Sequence, residues 1–126
     1  MRIEHVALWV RDLERMRSFY VDVLGGRSGP EYVNPRTGFH SYFVTFDEGA
    51  RIELMTGLAI SEPGPAPAFG YVHLALSLGS RDRVDALTAE LRARGVKVTG
   101  EPRTTGDGYY ESQIADPEGN LIELTV

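Results

Sequence analysis

The sequence predicts an α+β fold made of two tandem βαβββ units, and an internal repeat is the main reason. In each half a β-prone segment, a helix and three further β-prone segments follow in the same order. Each half also carries one histidine and one glutamate at matching points, His5 with Glu53 and His73 with Glu123. Positions 5 and 73 differ by 68, and positions 53 and 123 differ by 70, so the two halves stay nearly in phase.

The first half begins with residues 3–10, whose alternating apolar side chains are typical of a strand. Asp12 is a suitable N-cap for the helix that follows, because its side chain can accept hydrogen bonds from the first free backbone N–H groups. Apolar residues then recur at helical spacing as far as Gly25 and Gly26, which favour the end of a helix. Three further strands are predicted near 27–34, 39–47 and 51–56.

A proline-rich linker at residues 61–69 separates the halves, since proline favours extended chain and interrupts helices and central strands. The second half continues with a strand near 70–78. A helix follows that Ser80 can cap and Gly95 can end. Three further strands are predicted near 96–100, 109–115 and 121–126.

Length and composition restrict the class of protein. A chain of 126 residues is expected to form one domain, with its two units at about 1–60 and 70–126. The net charge of −5 argues against a nucleic-acid partner, which requires a basic surface. The sequence contains no cysteine, which excludes disulfides and thiolate ligands. It has no apolar run of membrane-spanning length and no signal peptide, so a soluble cytoplasmic protein is expected.

The four repeated residues are predicted to lie on the same kind of surface. They alternate with apolar residues that would pack under a helix, so each lies on the sheet face that points away from the helix. A single histidine or glutamate in such a place is more often structural or solvent-exposed. Four in phase indicate a metal site with His5, Glu53, His73 and Glu123 as ligands. Imidazole and carboxylate donors suit zinc, nickel, manganese, cobalt or iron, and such a metal can polarise a carbonyl while a glutamate moves a proton.

The same alternation places further side chains beside the predicted ligands. Trp9 and Met55 share their strand faces and could contact a substrate, although ordinary packing explains them equally well. Arg51 could hold an anionic group, although a solvated strand end is the better interpretation. If Ile114 faces the helix, the opposite face of its strand carries polar residues. The candidate substrate contacts are Trp9, Arg51, Met55, Tyr109, Glu111 and Gln113. Gly106-Asp107-Gly108, within the segment 104–112, is predicted to be a turn or a lid.

Several segments resemble the vicinal oxygen chelate superfamily, which includes glyoxalase I, extradiol dioxygenases, and fosfomycin and bleomycin resistance proteins. The most specific is the closing segment Asp116-Pro117-Glu118-Gly119-Asn120-Leu121-Ile122-Glu123-Leu124. The others are His5-Val6-Ala7-Leu8, Arg11-Asp12-Leu13, Phe19-Tyr20, Leu24-Gly25 and His73-Leu74-Ala75. The resemblance covers nearly the whole chain. It implies that the paired units form a cup-shaped sheet around a metal, with the helices on the outer face, often within a homodimer.

The ligand set is similar to that of glyoxalase I, which implies zinc or nickel as the metal. By that resemblance Glu123, with Glu53 as the second candidate, shuttles a proton through a metal-bound enediolate. The substrate would be a thiohemiacetal of glutathione or another thiol, and the product a 2-hydroxyacyl thioester. Two alternatives stay open: another enzyme of the superfamily, such as an extradiol-type dioxygenase or a fosfomycin thiol transferase, and a non-catalytic protein that binds a drug or metabolite.

Overall fold

The structure is a computed structural model that describes residues 4–58, 71–106 and 108–126. It divides into two compact units, Met1–Pro67 and Ala68–Val126, called unit 1 and unit 2 below. The predicted linker at 61–69 lies outside the described residues. Each unit consists of one mixed sheet with helical segments packed on it, which confirms the predicted α+β class.

Unit 1 repeats the predicted order of strand, helix and further strands. Its sheet has the order β1-β5-β4-β2, with β3 also paired to β4. The β1–β5 pair is parallel and the other pairs are antiparallel. The elements are β1 (His5–Trp9), α1 (Leu13–Ser18), a π-helical segment (Phe19–Val23), β2 (Arg27–Ser28), β3 (Tyr32–Asn34), β4 (Phe39–Thr45) and β5 (Arg51–Thr56).

Unit 2 has the same topology. Its sheet order is β6-β9-β8-β7, and β6 pairs with β9 in parallel as β1 pairs with β5. The elements are β6 (His73–Ser77), α2 (Arg81–Ala93), β7 (Lys97–Thr104), β8 (Tyr110–Ala115) and β9 (Leu121–Thr125). The internal repeat of the sequence is therefore a repeat of the fold.

Three elements differ from their predicted extent. The strand predicted at 27–34 is two short strands, because Pro30 lies between them and has no N–H to donate to a ladder. The strand predicted at 96–100 continues to Thr104, with register shifts on both sides of Gly100. The helix that starts after Asp12 is α-helical only as far as Ser18, and a wider turn follows in which Leu24 N–H donates to Phe19 O at 3.1 Å.

The helix ends follow the predicted local signals. Asp12 Oδ1 accepts from the Arg15 backbone N–H at 3.0 Å, and Ser80 Oγ accepts from the Arg83 N–H at 3.4 Å. Both caps satisfy a donor that a helix start leaves free. Gly95 ends α2 with φ +82°, a left-handed conformation that glycine adopts without strain.

The core of each unit lies between its helix and its sheet. In unit 1, Met16 and Tyr20 from the helical side meet Val44, Ile52 and Leu54 from the strands, and all are buried. Unit 2 uses Val84, Leu91, Ile114, Ile122 and Leu124 in the same way. The even-numbered residues of β5 and β9 thus face the helices, so Glu53 and Glu123 face the opposite side of their sheets.

No helix in the described part of the chain is long and apolar enough to cross a membrane.

Candidate functional site

Strand register brings one histidine and one glutamate together in each unit. In the β1–β5 pair Ala7 lies opposite Glu53, and in the β6–β9 pair Ala75 lies opposite Glu123. His5 and His73 each stand two residues before that alanine, on the same face. Although the histidines and glutamates are about 50 residues apart in sequence within each unit, parallel pairing makes them diagonal neighbours.

The two pairs have nearly the same geometry. His5 Nε2 lies 3.8 Å from Glu53 Oε2, and His73 Nε2 lies 3.6 Å from Glu123 Oε2. The glutamate side chains are only 16% and 13% exposed, while the histidine side chains are 40% and 37% exposed. Each pair therefore presents one nitrogen and one oxygen donor, with the carboxylate largely withdrawn from water.

Either pair fits two ligands of one metal ion. Metal bonds to imidazole nitrogen and carboxylate oxygen are about 2.0–2.2 Å long, so two donors of one ion can stand up to about 4 Å apart. Within either unit, the described residues include no group of three or more histidine, aspartate or glutamate side chains placed to hold an ion. One unit thus supplies half of the predicted ligand set of His5, Glu53, His73 and Glu123.

In unit 1 a second glutamate supports the histidine. Glu4 Oε2 lies 2.5 Å from His5 Nδ1, and Glu4 Oε1 lies 2.5 Å from Arg51 Nη2. The hydrogen bond with His5, together with Arg51, lowers the pKa of Glu4. Arg51, predicted as a substrate contact, is engaged with Glu4 in the folded chain. It also lies over the Phe43 ring, 3.9 Å from its centroid, and that ring is nearly perpendicular to His5, with the two ring centroids 5.4 Å apart.

In unit 2 a second glutamate, Glu111, lies beside Glu123 rather than beside the histidine. Glu111 is buried, and Arg103 Nη2 donates to its Oε1 at 3.0 Å. Burial raises the pKa of Glu123 above its ordinary value of 4.5, and the hydrogen bond and charge of Glu111 raise it further, while His73 and Arg103 act in the opposite direction. Glu123 is therefore a carboxyl group that holds a proton more readily than a solvated glutamate.

Of the remaining candidate substrate contacts, two lie next to the pair glutamates in the sheets and two are exposed. Gln113 lies directly opposite Glu123 on β8, and Met55 follows Glu53 by two residues on β5. Trp9 is 54% exposed and packs edge-on against Phe39 at 6.0 Å. Tyr109 is exposed and precedes β8, so the alternation argument that placed it beside Glu111 does not extend to it.

The predicted turn or lid at 104–112 is in part a hydrogen-bonded turn. Thr105 N–H donates to Tyr109 O at 2.8 Å, and Gly108 N–H donates to Thr105 O at 3.0 Å. Asp107 lies outside the described residues. His40, interpreted as a surface residue, has its Nδ1 2.7 Å from Glu31 Oε1.

Sequence reasoning missed Glu4, Phe43 and Arg103. Glu4 lies within the strand predicted at 3–10, where alternation assigns it to the face opposite His5; β1 begins only at His5, so that alternation does not hold at Glu4. Phe43 faces Glu53 across the β4–β5 pair, a register that can be assigned only once the strands are paired. Arg103 lies beyond the predicted end of its strand at residue 100, and the continuation of β7 brings it opposite Glu111.

Comparisons with known proteins show the family of the chain. Residues 2–124 match the profile of the Glyoxalase/Bleomycin resistance protein/Dioxygenase superfamily. The chain is 32% identical over 128 residues to the lactoylglutathione lyase of Haemophilus influenzae, covering 98% of this chain and 91% of that protein.

Solved structures show the same fold. The crystal structure of SMU.1112c is 27% identical, covers 100% of this chain and 98% of its own, and superimposes with a TM-score of 0.86. The trypanothione-dependent glyoxalase I of Leishmania major is 24% identical, with a TM-score of 0.79 and coverage of 99% of this chain and 86% of its own.

Proposed function

Because this chain belongs to the Glyoxalase/Bleomycin resistance protein/Dioxygenase superfamily, we propose that it is a divalent-metal-dependent lyase of the glyoxalase I type. Its substrate would be the thiohemiacetal of a small 2-oxoaldehyde with glutathione or another thiol, and its product the 2-hydroxyacyl thioester. The observation that carries the proposal is the repeated His–Glu pair, with matched distances of 3.8 and 3.6 Å. A homodimer is part of the proposal.

The metal ligands in this proposal are His5, Glu53, His73 and Glu123. When bound, zinc or nickel would polarise the substrate oxygens and offset the negative charge that develops on them. The donors are suited to that role because the imidazoles offer nitrogen lone pairs and the carboxylates are largely withdrawn from competing water. Since each unit contributes two donors, loss of either pair should abolish the site.

Glu123 is the proposed base, with Glu53 as the second candidate. Its carboxylate would take the proton from the carbon that bears the hydroxyl and the sulfur, and return it to the neighbouring carbonyl carbon. The hydroxyl proton of the first carbon would pass to the oxygen of the second. The first carbon thereby becomes the thioester carbonyl and the second the carbinol, so no atom is gained or lost. The raised pKa of Glu123 favours this role, because a base that later gives its proton back works best when its pKa lies nearer the working pH.

Metal analysis combined with a turnover assay tests the proposal. Purified protein is stripped with a chelator, reloaded with nickel or zinc, and analysed for bound metal. It is then assayed with the methylglyoxal adducts of glutathione and of trypanothione. We expect bound metal, metal-restored turnover with at least one thiol, and loss of both in His73→Ala.

Three outcomes would overturn it. Protein that retains neither metal after loading does not have the proposed site. Oxygen uptake with a catechol under Fe²⁺ would reassign the site to a dioxygenase, and thiol-dependent loss of fosfomycin would reassign it to a transferase. Molar mass in solution, by light scattering, tests the homodimer separately.

A further inference from the structure

The ring of His5 has a carboxylate at each of its nitrogens. Nε2 lies 3.8 Å from Glu53 Oε2, and Nδ1 lies 2.5 Å from Glu4 Oε2. The second oxygen of Glu4 is occupied as well, since it pairs with Arg51 Nη2 at 2.5 Å. One carboxylate therefore links the histidine to a guanidinium, and both of its oxygens are engaged.

The charge of Glu4 decides which nitrogen of His5 carries the proton. Both oxygens of Glu4 face nitrogen atoms, Arg51 Nη2 at 2.5 Å and His5 Nδ1 at 2.5 Å, and a carboxylate can only accept hydrogen bonds. In neutral imidazole the nitrogen facing Glu4 must then be the donor. Nε2 keeps its lone pair, which is the form that binds a metal.

We propose that Glu4 is a positioning residue for His5, which holds the ring as the Nδ1–H tautomer and directs the lone pair of Nε2 toward the side of Glu53. Histidines that bind metals commonly donate their second N–H to a carboxylate, which fixes the tautomer and the ring orientation. This inference rests on the proposed function only where it takes His5 as a ligand. The tautomer itself is a property of the metal-free chain.

Aromatic packing limits the rotation of the same ring. The rings of His5 and Phe43 are nearly perpendicular, with centroids 5.4 Å apart and an interplanar angle of 89°. The Arg51 guanidinium that pairs with Glu4 also lies over the Phe43 ring, 3.9 Å from its centroid. A closed cycle of contacts thus joins His5, Glu4, Arg51 and Phe43. In this cycle the hydrogen bond to Glu4 sets the position of the proton on the His5 ring, and the packing on Phe43 restricts the orientation of the ring plane.

His73 provides an internal reference for this inference. It makes the equivalent pair with Glu123, at 3.6 Å. In the ranges 71–106 and 108–126, no carboxylate accepts a hydrogen bond from its Nδ1. Removing Glu4 should therefore change the tautomer of His5 and leave the tautomer of His73 unchanged.

Imidazole nitrogen NMR of the metal-free full chain tests the proposal directly. Long-range ¹H–¹⁵N spectra of labelled protein, recorded above the histidine pKa, distinguish the protonated from the unprotonated ring nitrogen for each of the three histidines. We expect Nδ1–H at His5 in the wild type. Glu4→Ala should shift His5 toward the Nε2–H form preferred by free histidine, with His73 unchanged. Glu4→Gln should retain part of the Nδ1–H form, because its amide oxygen still accepts a hydrogen bond.

Metal affinity gives the second measurement. Nickel titration by competition with a chromophoric chelator should show binding to Glu4→Ala that is weaker by about 10–100-fold, the range for loss of an outer-shell partner. Glu4→Gln should lose less. A wild-type His5 that is mainly Nε2–H, or a tautomer unaffected by Glu4→Ala, overturns the positioning role whatever the metal affinity. Wild-type protein with the expected tautomer but no nickel binding overturns the proposed function and leaves the positioning role standing.

Discussion

The two units share a backbone plan and a ligand pair, but they support different members of that pair. In unit 1, Glu4 with Arg51 holds the histidine, whereas in unit 2, Glu111 with Arg103 contacts the glutamate. Both supports are a glutamate paired with an arginine. The His–Glu distance thus differs by only 0.2 Å between the units, at 3.8 and 3.6 Å, while the side chains around the pair differ.

The neighbours across the sheet account for this difference. Phe43 lies opposite Glu53, whereas Gln113 lies opposite Glu123. At the next position on the same face, Ser41 in β4 corresponds to Glu111 in β8. A second carboxyl group therefore stands beside Glu123, and it contributes to the raised pKa of that residue. In unit 1 the added carboxylate thus contacts the histidine of the pair, and in unit 2 it contacts the glutamate.

The largest expected effect is on turnover, and it distinguishes the proposed base Glu123 from Glu53. With metal saturating, Glu123→Gln should lower kcat by about 10²–10⁴-fold, the usual contribution of a general base. Glu53→Gln should mainly weaken metal binding, so excess nickel should restore more of its turnover. Steady-state kinetics at increasing metal concentration measures both. Equal losses of kcat at saturating metal would show that the units do not divide the chemistry.

The next effect is the loss of stability when one core leucine is truncated, and it compares the cores of the two units. Leu54 and Leu124 each follow the pair glutamate by one residue and are fully buried. Truncation to alanine should lower the free energy of unfolding by about 2–5 kcal/mol in either case. Urea unfolding measures this, and Leu58→Ala serves as the control, since Leu58 is exposed and should change stability by less than about 0.5 kcal/mol. A cost below about 1 kcal/mol at one leucine would mean that its core relaxes around the cavity.

The helix caps should give a smaller difference between the units. Asp12→Ala and Ser80→Ala should each cost about 1 kcal/mol of unfolding free energy. The Asp12 effect should be the larger, because its hydrogen bond is shorter, at 3.0 against 3.4 Å, and its negative charge also interacts with the helix N-terminus. Asp12→Asn, which keeps the acceptor, is the matched control. A greater loss at Ser80 would contradict this order.

The smallest expected effect is the pH dependence of stability that Glu123 causes, and its sign can be predicted. The pKa of Glu123 is raised in the folded chain, so its contribution to stability is full below its unfolded value of about 4.5 and is lost as the pH rises through the folded pKa. Metal-free Glu123→Gln should therefore gain stability relative to the wild type between acid and neutral pH. Unfolding by urea across this range measures the gain. Glu111→Gln should reduce the same pH dependence. If the stability advantage of Glu123→Gln over the wild type became smaller toward neutral pH, the raised pKa of Glu123 would be contradicted.

Local signals in the sequence predicted most elements correctly. The caps at Asp12 and Ser80 and the helix end at Gly95 depend on residues within one turn of each other, so they can be identified without knowing the fold. The alternation that placed Glu53 and Glu123 on the face away from the helices is equally local. The repeat then identified the corresponding elements of the two halves, which is why the same order of elements could be predicted for both.

The sequence by itself thus determined the repeated βαβββ order and which residues of each strand face the helices, because helix and strand periods depend on near neighbours. The tertiary structure alone decided the contacts of Glu4 with Arg51 and of Glu111 with Arg103, and the strand register that sets His5 beside Glu53. Those contacts join residues far apart in the chain or outside the regular alternation. Their existence depends on how strands pair and where β7 shifts its register, which side-chain periodicity does not encode.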